Sequence, residues 1–122
     1  MSLALVDAPS IGGPEAARRA GISYRQLDHW LNTGLALGTE STGSGHRRRF
    51  TEQDVTVLRV LGRLAELMPA GRNADTKGPI LNRVARIIVN YPAVLDRPML
   101  FITPTGLVST TPKVGWCVEV GS

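Results

Sequence analysis

The segment 15–54 constrains the fold more than any other part of the chain. It opens with the spacing of a short helix, and three of its residues are small enough for a second helix to cross closely: Ala16, Ala17 and Ala20. Gly21 follows where that helix must stop, because glycine tolerates the left-handed conformation of a helix end. Ser23 is then a favourable N-cap for a second helix. The pattern predicts a helix-turn-helix.

The second helix of this pair has an apolar and a polar side. Leu27, Trp30 and Leu31 are spaced i, i+3 and i+4, so we expect their side of the helix to be buried. The polar side carries Tyr24, Arg25, Gln26, Asp28 and His29. Arg, Gln, Ser and Tyr side chains hydrogen-bond base edges or phosphates in the major groove of DNA. We therefore predict DNA contacts from Ser23, Tyr24, Arg25, Gln26 and His29. The alternative is an ordinary helical hairpin with a solvated polar face.

A basic hairpin follows the two helices. Residues 39–45 are a Gly- and Ser-rich run that favours a hairpin tip, and four basic residues come directly after it: His46, Arg47, Arg48 and Arg49. Like charges on a hairpin repel one another, and a polyanion relieves the repulsion while releasing its counterions. We predict a wing that grips duplex DNA, with Arg18 and Arg19 touching phosphate near the end of the first helix. A solvated surface loop is the alternative.

A third helix is predicted to complete the core of this segment. Thr51 is its N-cap, and Asp54 takes the N3 position of a capping box. Apolar residues then recur at helical spacing from Val55 to Met68. The polar side of this helix, which we expect to face solvent, includes Thr56, Arg59 and Arg63.

With these motifs the segment resembles the DNA-binding domain of the MerR family. The family's Ala-Ala-x-x-Ala-Gly-(Val/Ile)-Ser turn is matched by residues 16–23. Its recognition helix, Arg-x-Leu-(Arg/Asp)-(Tyr/His)-(Tyr/Trp), is matched by residues 25–30 and followed by Gly34-Leu35. Its wing ends in Arg-(Tyr/Phe)-(Ser/Thr)-x-x-Asp-Val, matched by residues 49–55. The resemblance covers about Pro14 to Met68.

The resemblance implies a recognition helix in the major groove and wing arginines on the DNA backbone or in the minor groove. Family members usually dimerise through a long C-terminal helix and often sense a metal, a drug or a redox signal. Here Pro69 to Gly78 cannot continue a long coiled coil, so we expect that helix to be absent. We expect a transcriptional regulator; a small excisionase-like recombination factor and a protein-interaction module such as an anti-repressor are the alternatives.

The remaining chain predicts a second, smaller unit. Residues 1–13 are an extension, 14–68 a winged helix-turn-helix domain, 69–78 a linker, and 79–122 a helix followed by a short β-meander. The helix spans Pro79 to Tyr91, and the strands lie at 99–103, 107–111 and 115–120. The fold class is mainly α with small β elements. We expect residues 79–120 to mediate a homo-oligomer, either a dimer or a DNA-induced assembly, or to dock a protein partner.

Composition narrows the functional class. The net charge of +4 is modest, and six arginines lie between Arg18 and Arg49, which favours a local DNA-binding surface. The single Cys117 excludes an internal disulfide and is expected to be buried in an apolar strand. Because no zinc-ligand spacing, phosphate loop, catalytic set, signal peptide or membrane span is recognisable, we expect a cytoplasmic, non-enzymatic protein without metal or cofactor.

Overall fold

The computed structural model describes residues 10–40, 48–68 and 74–121. In chain order, the elements are α1 (Gly13–Ala20), α2 (Tyr24–Asn32), β1 (Thr39–Glu40), β2 (Arg48–Arg49), α3 (Glu52–Leu67), α4 (Ala74–Asn90), a 3-10 helix (Pro92–Asp96), β3 (Met99–Ile102), β4 (Val108–Ser109) and β5 (Trp116–Glu119). The predicted fold class, mainly α with small β elements, is confirmed.

The predicted helix-turn-helix is present, and local chemistry accounts for it. Pro14 lies in the first turn of α1, where its missing N–H costs no hydrogen bond. Gly21 ends this helix at a φ of 80°, in the left-handed region. The Ser23 hydroxyl then accepts a hydrogen bond of 3.0 Å from the Gln26 backbone N–H and so caps α2. The turn between the helices is therefore set by two adjacent local signals.

The wing is a two-stranded antiparallel ribbon in which Thr39 pairs with Arg49 and Glu40 with Arg48. The chain before α1 extends it, because Ile11 and Phe50 exchange two backbone hydrogen bonds of 2.8 Å. Phe50 is buried at the base of the ribbon. The described end of the predicted N-terminal extension is thus part of the wing.

Helix α3 is the centre of the core. Its capping box is confirmed, since the Asp54 carboxylate accepts from the Thr51 backbone N–H at 2.9 Å and the Thr51 hydroxyl accepts from the Asp54 backbone N–H at 3.2 Å. Residues on more than half of its circumference are buried. It packs against α1 on one side and against α4 and β5 on another. The buried residues of both predicted units consequently form one continuous hydrophobic core.

Helix α4 begins at Ala74, five residues before the predicted start at Pro79. The predicted linker 69–78 therefore overlaps its first turns, and 69–73 lie outside the described residues. Pro79 lies within the helix and its side chain is exposed. A proline there removes one backbone hydrogen bond, which is tolerable near an exposed helix start because water satisfies the freed carbonyl.

The three predicted strands form an antiparallel sheet, but the meander order is wrong. The order is β4-β3-β5, so β3 lies in the centre. The two inward-facing residues of β3, Leu100 and Ile102, are fully buried, and the most apolar strand gains most from two neighbours. The chain passes from β4 to the opposite edge of β3 before it enters β5. Gly115 lies at the entry to β5 with a φ of 144°, and any Cβ there would collide with the Ile102 carbonyl.

Cys117 is exposed, contrary to the prediction. The pleat of β5 directs Val118 into the core and therefore turns Cys117 and Glu119 outward. The Cys117 Sγ lies 3.4 Å from the Met99 Sδ on the outer face of the sheet. The Arg63 guanidinium of α3 donates to the Glu119 carbonyl at 2.8 Å and to the Gly121 carbonyl, which ties this strand to the central helix.

Candidate nucleic-acid interface

One face of the predicted recognition helix α2 is buried in the core, and the opposite face is exposed to solvent. Leu27 is fully buried and Trp30 is 7% exposed. The polar side chains of the helix point away from this anchor, and five are exposed: Tyr24, Arg25, Asp28, His29 and Asn32. Gln26 is half-buried. A rigid helix thus presents a row of hydrogen-bonding groups to solvent.

The predicted contact residues of α2 lie on two flanks of that row. Tyr24 is on the wing side and packs over Gly13, where an added Cβ would lie 2.8 Å from the Tyr24 ring. Gln26 and His29 lie on the other flank, beside Glu66 of α3. Arg25 is exposed between the two flanks. The Ser23 hydroxyl oxygen accepts the cap hydrogen bond and keeps its O–H as a donor, so Ser23 positions α2 and retains one group for an interface.

A groove of about 550 Å³ separates α2 from the wing. Tyr24, Asp28 and Asn32 form its α2 side, and Arg48 and Arg49 form its wing side. It is therefore lined by donors and acceptors from two elements that lie far apart in the sequence. Its floor is apolar, because Leu31 and Phe50 also line it.

The wing arginines are held at the base of the ribbon. Arg49 donates to the Ser10 carbonyl at 2.7 Å and to the Ser10 hydroxyl at 3.3 Å. Arg48 donates to the Leu37 carbonyl at 3.2 Å. These bonds fix the direction of both guanidinium groups. His46 and Arg47, the other two predicted wing contacts, lie outside the described residues.

Arg18 and Arg19 share one carboxylate. Glu15 accepts hydrogen bonds from both guanidinium groups, at 2.5 to 3.0 Å. Arg19 also forms an ion pair of 3.2 Å with Glu52 at the start of α3. The hydrogen bonds from Arg18 and then Arg19 lower the pKa of Glu15, and the carboxylate raises the pKa of Arg18. Two of the predicted phosphate contacts are thus already partnered within the protein.

Sequence reasoning missed several members of this surface. Asp28 was assigned to the polar face but not to the contact set, and Asn32 was not considered, although the two lie at i and i+4 and therefore on one side of the helix. Ser10 and Ile11 carried no local signal, since their role depends on the distant residues Arg49 and Phe50.

The described ranges also bear on metal binding and on membrane insertion. No group of three or more His, Cys, Asp or Glu residues there is arranged to hold a metal ion. No helix in the same ranges is both long and apolar enough to cross a membrane.

Comparison with known proteins gives the same assignment for this part of the chain. Residues 14–67 match the family model of the MerR HTH family regulatory proteins. Over 56 residues the chain is 41% identical to an HTH-type transcriptional regulator of Mycobacterium bovis and to HTH-type transcriptional regulators of two Mycobacterium tuberculosis strains. Each alignment covers 44% of this chain and 25% of the relative. These matches do not favour the excisionase-like or anti-repressor alternatives.

Proposed function

We propose that the chain, whose residues 14–67 match the family model of the MerR HTH family regulatory proteins, is a sequence-specific regulator that binds duplex DNA. Helix α2 lies in the major groove, and the wing follows the flanking backbone. The chain acts by binding and not by catalysis. The observation that carries the proposal is the exposed polar row of α2 above its buried Leu27 and Trp30 anchor. A helix held this way presents base-reading groups without losing its own packing.

Assembly is the second part of the proposal. One helix-turn-helix with one wing contacts few base pairs, and a pair of copies on two half-sites is the usual remedy. Helix α3 ends at Leu67 and α4 packs against it, which supports the proposal that these two helices do not form a long dimerisation coil. Exposed apolar residues of the C-terminal part remain available for pairing: Tyr91, Met99, Leu107 and Val114. We infer that residues 79–120 carry the contact between copies.

One selection experiment tests both parts. The purified protein is used to enrich bound sequences from a random duplex pool. A sequence-specific regulator yields a defined motif, and paired copies yield that motif twice, with two-fold symmetry and a constant spacing. Recovery of no motif would contradict specific binding, and a single motif without a repeat would contradict pairing.

Arg25→Ala then tests the orientation of α2 on the selected site. Because Arg25 is exposed in the middle of the polar row, its loss should cost about 1–3 kcal/mol on the selected duplex and much less on a random one. Arg86→Ala is the matched control, since it removes the same charge from an exposed position of α4. Equal losses of affinity on both duplexes would indicate that Arg25 contacts phosphate, and no loss on either duplex would contradict the placement of α2 in the major groove.

A further inference from the structure

Asp28 is an acidic residue of α2 on the surface that faces DNA in the proposed function. Its side chain is exposed and lies on the wing side of α2, where it lines the groove with Tyr24 and Asn32 and with Arg48 and Arg49 of the wing. No ion pair to Asp28 occurs within the described part of the chain. Its position, unlike that of Glu15, therefore cannot be explained by neutralisation of a neighbouring arginine in that part.

The carboxylate of Asp28 is oriented by its own helix. The Asn32 side-chain amide, one turn further on, donates a hydrogen bond of 3.3 Å to the Asp28 Oδ2. This bond engages Oδ2 and leaves Oδ1 as a further acceptor on a side chain that lines the groove. Asparagine cannot neutralise the charge, so the pair remains a negatively charged acceptor of defined direction.

A negatively charged acceptor is repelled by most of the groups that it meets in a groove of DNA. The phosphates repel it, and so do the acceptor atoms of guanine and thymine, N7, O6 and O4. The amino groups of cytosine and adenine are the donors on base edges in the major groove, and carboxylates pair with the cytosine N4 amino group. The adenine N6 amino group lies between two acceptors, its own N7 and the O4 of the paired thymine, whereas the cytosine N4 amino group has an acceptor on one side only. A carboxylate held in this groove is consequently most favourable at cytosine.

We propose that Asp28, held by Asn32, is a specificity-determining residue that selects cytosine at one position of each half-site. It does so by accepting a hydrogen bond from the cytosine N4 amino group and by repelling bases that present acceptors there. This inference rests on the proposed DNA-binding function. It assigns Asp28 a role opposite to that of the arginines around it: Asp28 weakens binding to most sequences and thereby sharpens the choice among them.

Asp28→Asn tests this role with little change of shape. Asparagine retains an oxygen that can accept the Asn32 hydrogen bond, but it removes the charge and adds a donor that matches guanine and thymine acceptors. On the site selected by the unmodified protein, D28N should bind about five to ten times more weakly. On random duplex it should bind about two to five times more tightly, because one repulsion with the phosphates is gone. Selection with D28N should lose the cytosine preference at one position and keep the rest of the motif.

Asp96→Asn is the matched control, since it makes the same change at an exposed position of the 3-10 helix outside the groove. It should leave the bases selected within each half-site unchanged, because residues 79–120 are assigned to pairing of copies and not to base contacts. If D28N selects the same motif as the unmodified protein, with cytosine retained, the inference is overturned while the proposed function stands. If the unmodified protein selects no motif, the proposed function fails first. Matching thermal unfolding midpoints for the two variants would show that a change in motif is not a folding effect.

Discussion

At the level of single residues, the partners of each arginine decide how much of its positive charge remains available to a ligand. Glu15 holds both arginines of α1, and Arg19 also reaches Glu52, so the guanidinium groups nearest the turn are partly neutralised before any ligand arrives. On the wing, Arg49 donates to the uncharged Ser10 carbonyl, and Arg48 donates to the Leu37 carbonyl. Carboxylates therefore hold the two arginines of α1, whereas a backbone carbonyl holds Arg49.

Glu15→Gln should separate the structural role of this carboxylate from its effect on DNA binding. The pKa of Glu15 is lowered in the folded protein, so its ion pairs stabilise the fold above the ordinary carboxyl pKa. That contribution is lost as the pH falls through the lowered pKa. The urea midpoint of E15Q should therefore lie slightly below that of the unmodified protein at pH 7. The difference should shrink as the pH falls below the ordinary carboxyl pKa and vanish once the pH is below the lowered pKa of Glu15.

The same variant frees Arg18 and Arg19 for phosphate. If these arginines touch DNA, the affinity of E15Q for random duplex should rise at pH 7. The slope of log affinity against log salt should steepen by up to about one. Glu119→Gln, at an exposed position of β5, is the control for removal of one negative charge. An unchanged salt slope in E15Q would remove both arginines from the predicted contact set.

Residue-level prediction from the sequence succeeded where the signal was local. Ser23 and the Thr51–Asp54 box cap their helices as predicted, because a cap involves residues two or three positions apart. The burial of Cys117 was predicted from its apolar neighbours and is wrong, since the alternation of β5 outweighs composition. The partner of Arg49, Ser10, is 39 positions away, and no local pattern contains that information.

At the scale of elements, the wing is coupled to the chain that precedes α1. The Ile11–Phe50 backbone pair and the Arg49–Ser10 hydrogen bonds join the same two segments. The wing is thus braced at its base, and its direction relative to α2 is fixed by groups on both sides of the helix-turn-helix. A braced wing loses less conformational entropy when it binds than a free hairpin would.

Replacing Arg47, Arg48 and Arg49 together with Ala should weaken binding to every duplex. Each lost phosphate contact contributes close to 0.9 to the slope of log affinity against log salt, so the slope should fall by about two to three. Because Arg49 also braces the wing, the thermal unfolding midpoint must be measured in parallel. The triple variant Arg86→Ala, Arg97→Ala, Lys113→Ala removes equal charge from exposed positions elsewhere. A salt slope equal to that of the unmodified protein would rule out phosphate contacts by the wing.

Element order was harder to predict than element identity. Glycine and proline residues between the strands allowed all three strands to be located correctly. The order in which the strands pair depends instead on which strand buries the most apolar surface in the core. Pro79 suggested a helix start, whereas α4 begins at Ala74. The cost of one proline near a helix start is smaller than the gain from packing a long helix against α3.

At the scale of the whole molecule, the two predicted units share one core. Helix α3 contributes buried residues to both, and α4 and β5 cover the side that α1 leaves open. The recognition helix is therefore supported by a body that extends to Val120. The sequence suggests a division into two units at residues 69–78, but buried side chains from both units pack together in the folded chain.

A chain ending at Arg72 should consequently fail to fold cooperatively. The truncation removes the partners of α3 and with them several side chains that are at most 3% exposed: Leu81, Val84, Ile88, Leu100, Ile102 and Val118. Burial of each such side chain stabilises a fold by about 1.5–3 kcal/mol. Their loss is comparable with the whole net stability of a small domain, roughly 5–15 kcal/mol.

Thermal unfolding followed by far-ultraviolet circular dichroism measures this directly. The full chain should show one cooperative transition, and the truncated chain should show a broad, non-cooperative loss of helix. Val114→Ser in the full chain is the control, because this side chain is 88% exposed and its replacement should leave the transition in place. A sharp transition in the truncated chain would mean that the helices of the DNA-binding domain suffice for a core. In that case the C-terminal part would be a separate module whose exposed apolar residues serve assembly alone.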